Sequence, residues 1–360
     1  MKFPRITILA TLLLTAPAAA QLQITPPATT PSPAAEKQKP KAPPPAKKKE
    51  AAPAPKPSAS PKPAASPKPA LPATVIPAPP TDTPGVDLVF GAYQRGQYKT
   101  AFELATARAA AGDPKAMTML GELYSNAMGI RRDYAKALEW YKRASDAGDR
   151  EAMFALAMLR ISGRGGPVDK GEAVKLMASA AKLGEPKAAY NLALLYLDGQ
   201  TLPQDVKRSA ELLRQAADAG LPEAQYALAT FYKEGTGVPK DPERAVRLLQ
   251  AASLADNVDA EVEYAIAMFN GTGTPKNQPA AVALLRKASR QGSAIAQNRL
   301  AWVLTNGMGA SADKIEGFKW HLVAKTGGKG DPELDKQLSD LPADDRAKAE
   351  AAAKKWLGTK

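Results

Sequence analysis

The sequence predicts an all-α fold: a solenoid of helix–loop–helix repeats with a C-terminal helical cap, preceded by a disordered tether. Three observations carry this reading. From about residue 111 onward the chain repeats with a period of 36, and a fixed period of that size marks a stacked-repeat architecture. Within each repeat, apolar and small residues recur at i and i+4, the spacing of one helix face. Residues 21–84 hold 20 of the 33 Pro and are otherwise almost all Ala, Lys, Ser and Thr. Such a stretch cannot bury enough apolar area to offset the entropy of ordering.

Composition shortens the list of chemistries. The 360 residues include no Cys and a single His, His321. Thiol nucleophiles, Cys-bound metals and disulfides are thereby removed, and a His-based triad is unsupported. The formal net charge of +13 is unevenly spread. Residues 21–84 carry nine Lys against Glu36, Glu50 and Asp82, so residues 85–360 are only mildly basic. A nucleic-acid partner is therefore not expected. The Gly loops at 163–166 and 271–274 fall where the repeat demands a helix stop, and neither follows a strand. Glu261 and Glu263 are two apart on a helix and face different ways, which does not suit paired acid–base work. The expectation is a non-enzymatic protein with no cofactor and no metal.

Residues 1–20 read as a secretory signal peptide. Lys2 and Arg5 give the charged start, Ile6 to Leu14 the short apolar run, and Ala18-Ala19-Ala20 the small residues before cleavage. The run is shorter than the roughly 20 residues of a bilayer span, so no stable membrane span is expected after cleavage. An uncleaved anchor is the alternative. Residues 21–84 follow as a Pro/Ala/Lys-rich tether, held near polyproline II by its prolines. Its lysines suit contact with peptidoglycan or another anionic envelope surface; they equally suit a solvated spacer kept extended by its own charge.

The repeats follow in order. Pairs at 111–112, 147–148, 183–184, 219–220, 255–256, 291–292 and 327–328 close successive units, with Gly second in all but Ala255-Asp256. Four residues on stand Ala116, Ala152, Ala188, Ala224, Ala260 and Ala296. Four further come Leu120, Leu156, Leu192, Leu228, Tyr264 and Leu300, each followed by Gly or Ala. This is the apolar stripe of a first helix. Loops such as Lys-Glu-Gly-Thr-Gly-Val-Pro-Lys-Asp (233–241) end it with Gly. The closing Asp133, Asp169, Asp205, Asp241, Asn277 or Asp313 is a ready N-cap for the second helix. A second stripe reads Ala137, Trp140, Ala144, then Ala173, Leu176, Ala180, then Ala245, Leu248, Ala252. Six units cover 113–328. A degenerate unit at 85–112 precedes them, and 329–360 provides two more helices with a charged exterior, the terminal cap that a solenoid requires.

Three motifs resemble the Sel1-like repeat, a relative of the tetratricopeptide repeat. They are Ala-x3-Leu-Gly-x2-Tyr at 116–124, Gly-x-Gly-Val-Pro-x-Asp at 235–241, and Lys-Ala-Leu-x-Trp-Tyr-x2-Ala-x2-Ala-Gly at 136–148. The resemblance implies a right-handed superhelix of helix pairs that serves as an adaptor surface, with the first helices lining a concave side. Arg160 replaces the Tyr of its column and Tyr264 the Leu of its column, so those two units should pack less regularly.

Aligned on that implied surface are Phe154, Met158, Tyr190, Leu194, Tyr226, Thr230, Ile266, Phe269, Asn298 and Trp302. A continuous apolar groove there would dock a helix or an extended peptide; tight winding would instead bury the same residues as core. Phe269 and Trp302 are expected to be partly exposed anchors. His321 is expected at the surface or packed against the cap. The functional expectation is a periplasmic scaffold or regulator that binds a protein partner of the bacterial envelope, and the resemblance points to an envelope signalling protein. The alternative is a cell-wall adaptor that works through the tether.

Overall fold

Chemical stops bound nearly every helix of this chain. The carboxylates or amides of Asp133, Asp169, Asp205, Asp241, Asn277 and Asp313 each accept a hydrogen bond from the backbone N–H three residues on, which satisfies an otherwise orphaned helix donor. At the other end of the repeat loop, Gly163, Gly199, Gly235, Gly271 and Gly307 end the first helices in the left-handed region. Ala127 takes the same conformation, φ 58°, in the sixth such loop.

The computed structural model describes residues 87–358, which fall within one compact unit. The expected signal peptide and tether lie outside the described residues. All regular structure among the described residues is helical: α1 (Leu88–Gln94), α2 (Tyr98–Ala110), α3 (Pro114–Asn126), α4 (Tyr134–Asp146), α5 (Arg150–Ser162), α6 (Lys170–Lys182), α7 (Pro186–Asp198), α8 (Val206–Asp218), α9 (Pro222–Glu234), α10 (Pro242–Leu254), α11 (Val258–Asn270), α12 (Gln278–Arg290), α13 (Ala294–Asn306), α14 (Lys314–Thr326), α15 (Pro332–Ser339) and α16 (Ala343–Gly358). Odd-numbered helices from α3 to α13 are the first helices of six repeats, and even-numbered helices from α4 to α14 are the second. From α1 to α14 each helix packs mainly on the helices before and after it in sequence, and α16 packs against α14. This is a nearest-neighbour stack.

A cap column absent from the sequence reading starts the first helices. Asp113, Asp149, Glu185, Asn257 and Ser293 each accept from a backbone N–H of the helix that follows, while Leu221 makes no such bond. The second glycine of the loop has a different task. At Gly237 (φ +67°) an added Cβ would lie 2.6 Å from the carbonyl oxygen of Val206. The loop of one repeat thus lies directly on the start of the preceding repeat's second helix.

The Ala column from 116 to 296 is buried throughout, as is the small column from Gly121 to Ala301. The second-helix stripe needs a correction. Its alanines are buried, but Trp140, Leu176 and Leu248 are only half-buried. The core column is one residue further on: Tyr141, Met177, Leu213, Leu249 and Leu285. Trp140 instead stacks against the Arg143 guanidinium, 4.3 Å from its ring centre. Tyr141 lies where Gly121 has no side chain; a Cβ there would come within 2.6 Å of the phenol ring.

The buried core runs in three stretches that change over within α5 and within α11. Half-buried Leu176 bridges the first change and half-buried Tyr264 the second. These are the repeats that carry Arg160 and Tyr264. Their helices nevertheless keep the 13-residue length of their neighbours, and Arg160 pairs with Glu172 at 3.1 Å.

Candidate protein-interaction face

The first helices place the candidate residues at the seams between successive repeats. Position by position, one first helix reaches the next. Tyr93 donates from its hydroxyl to Glu122 at 2.8 Å, and Thr118 donates to the Asp149 carboxylate that caps α5 at 3.0 Å. Lys233 of α9 pairs with Glu263 of α11 at 2.8 Å. Asn298 donates to the Lys329 carbonyl at 3.3 Å, and Trp302 Nε1 to Asp331 at 2.8 Å.

Phe154, Met158, Tyr190, Leu194, Tyr226, Thr230, Ile266, Asn298 and Trp302 are all half-buried there. They form one row along α5, α7, α9, α11 and α13, partly packed and partly open. Phe269 departs from the row. It is only 7% exposed and belongs to the same buried cluster as Val262 and Val282, so the expectation of a partly exposed anchor is corrected. At the same repeat position Thr305 is also buried, whereas Lys233 stays in solvent.

The row changes character along its length. Phe154, Met158, Leu194 and Ile266 are apolar, whereas Tyr190 and Tyr226 bring hydroxyls. Burial raises both phenols, helped by Glu223 at Tyr190 and by Glu263, Asp259 and Glu234 around Tyr226. The field beside Tyr226 is therefore negative, and Lys233 offsets part of it through Glu263.

Other polar groups lie elsewhere. His321 occupies the second-helix core column and is fully buried, so it packs within the cap region and not at the surface. Its Nε2 lies 2.8 Å from Asp335 Oδ1. Lys325 Nζ donates to both oxygens of that carboxylate, at 2.8 and 2.9 Å. An open polar cleft of about 620 Å³ is lined by Arg286, Asp313, Lys314, Ile315 and Asp345, away from the first-helix row. Among the described residues no cluster of His, Cys, Asp or Glu could hold a metal ion, and no helix is long and apolar enough to cross a membrane.

The family model for the Sel1 repeat matches residues 114–149, 150–185, 186–221, 222–257, 258–293 and 294–328. The chain is a Sel1-repeat protein. The matched segments tile the six helix pairs from α3 to α14 without a gap. Two solved structures share the Sel1-repeat fold. One is a protective antigen of uropathogenic Escherichia coli, at 24% identity and TM-score 0.63, covering 76% of this chain and 63% of the antigen. This chain thus spans less than two thirds of that protein. The other is a Sel1 repeat protein from Oxalobacter formigenes, at 25% identity and TM-score 0.56, covering 66% of this chain and 94% of that one. No curated protein matches the sequence. Sel1-repeat proteins generally act as protein-interaction scaffolds, and the nearest-neighbour stacking of this one presents an extended surface of that kind.

Proposed function

We propose that this Sel1-repeat protein is an exported scaffold that binds a protein partner of the bacterial envelope along its first-helix row. The observation that carries the reading is the row itself. Half-buried side chains, most of them aromatic or apolar, recur at two seam positions four residues apart, the first from Phe154 to Asn298 with only Val262 buried, the second from Met158 to Trp302, and aromatics are among the residue types that dominate binding hot spots. The periplasmic location rests on the charged start, the short apolar run and the Ala-Ala-Ala of residues 1–20.

The test is position-dependent capture from envelope extracts. Leu194→Ala and Tyr226→Ala should lose a partner that the wild-type chain retains, while Leu248→Ala on a second helix keeps it. Equal capture by all three would contradict the assignment of the face.

A second reading has its own observation, the nine Lys against three acids in residues 21–84. In this reading the basic segment holds peptidoglycan or another anionic surface. Salt-sensitive sedimentation with isolated cell wall by residues 21–360, but not by 85–360, would support it.

A further inference from the structure

Glu261 is a buried carboxylate at a position where the flanking repeats use an amide. Gln225, 36 residues earlier, donates from Nε2 to the Ala217 carbonyl at 3.3 Å. Gln297, 36 residues later, donates to the Ser289 carbonyl at 3.1 Å. The repeat register makes Ser253 the equivalent acceptor for Glu261. An ionised carboxylate has no proton to give it, whereas a protonated one does.

The surroundings favour the proton. Glu261 is 0% exposed. The charged groups that face it are Lys287 from α12 and Asp256 from the turn between α10 and α11. Lys287 Nζ lies 3.3 Å from Glu261 and 3.0 Å from Asp256, so one cation is shared between two carboxylates. Burial raises the Glu261 carboxyl against the pull of Lys287.

The same junction departs from the others in further ways. Asp256 adopts φ 58° where the other repeat boundaries have glycine, a conformation that costs a non-glycine residue energy. Leu254, at the end of α10, is 82% exposed. The continuous core also changes over here: Ala260 ends one buried cluster and Val262 begins the next.

We propose that the α10–α11 junction is a proton-controlled joint in the solenoid. With Glu261 protonated, its hydroxyl donates to the Ser253 carbonyl, as the glutamines do in their repeats, and α11 is held on α10. When Glu261 releases its proton to water, the donor is lost and a buried charge remains on a shared cation. Helix α11 then loosens, and the halves of the solenoid on either side gain freedom to move. A folded-state carboxyl raised above its unfolded value stabilises fully below the unfolded value, near pH 4.3, and loses that contribution as pH rises through the folded one.

The test is amide hydrogen exchange on the full chain over about pH 4.5 to 8.5, corrected for intrinsic rates. In the wild type, the opening constant of α11 should rise about tenfold per pH unit over the first part of this range and then level off. Glu261→Gln should make that segment's opening constant independent of pH and lower than wild type above neutrality. Lys287→Met should extend the rise to higher pH, because the cation that helps the ionised form is gone. The same pH response in wild type and Glu261→Gln would overturn the proposal, as would a wild-type α11 whose opening does not change with pH.

Discussion

Trp302 Nε1 donates to Asp331 Oδ2 at 2.8 Å, while the other oxygen of that carboxylate accepts from the Glu333 and Leu334 backbone N–H groups that begin α15. One side chain therefore starts the cap and ties it to α13. Trp302→Phe keeps an aromatic ring, smaller than the indole, and removes the donor. It is expected to cost about 1 kcal/mol, read as a lower urea midpoint at unchanged slope. An unchanged midpoint would mean that the tie contributes nothing to the stack.

Two loop positions should respond in opposite directions. Ala127 ends α3 at φ 58° where the other repeats have glycine, so Ala127→Gly is expected to stabilise by about 0.5–1 kcal/mol. Gly237 combines positive φ with the close Val206 carbonyl. Gly237→Ala is expected to cost more than about 1–2 kcal/mol, because steric overlap adds to the left-handed penalty. Thermal unfolding of the two variants beside wild type checks both signs.

The cap should loosen in acid. Lys325 and His321 hold the Asp335 carboxyl below its usual range. A carboxyl lowered in the folded state stabilises above its unfolded value, near pH 3.9, and loses that contribution as pH falls through the folded one. Asp335→Asn should therefore weaken the cap at neutral pH, and its difference from wild type should shrink toward zero in strong acid. Trp320 and Trp356 sit 5.0 Å apart, ring centre to ring centre, across this cap, so their fluorescence reports it. A difference that stays constant with pH would contradict the ion-pair account.

Much of the architecture was legible because the repeat makes six independent copies of each signal. The second-helix N-caps were visible as a column of Asp and Asn, and all six make the bond. The first-helix caps were hidden by chemical variety, since Asp, Glu, Asn and Ser all serve and Leu221 breaks the column. The second-helix stripe was misplaced by one residue because Trp140, Leu176 and Leu248 are as apolar as the Tyr141, Met177 and Leu249 beside them. Only packing against the small first-helix column decides which one is buried. The candidate face was legible as positions but not as exposure. Phe269 and Ile266 share a helix and a hydrophobic character, yet Phe269 is buried in the core and Ile266 only half-buried.

The central claim is that the stack works through the surface of its first helices. Site-specific photocrosslinking in living cells tests it most directly, with a photoreactive residue placed in turn at Leu194, Thr230, Lys207 and Arg247. The account predicts that a discrete protein adduct forms from the two first-helix positions and not from the two second-helix positions. Adducts from Lys207 or Arg247 alone, or none from any position while the chain remains folded, would contradict it.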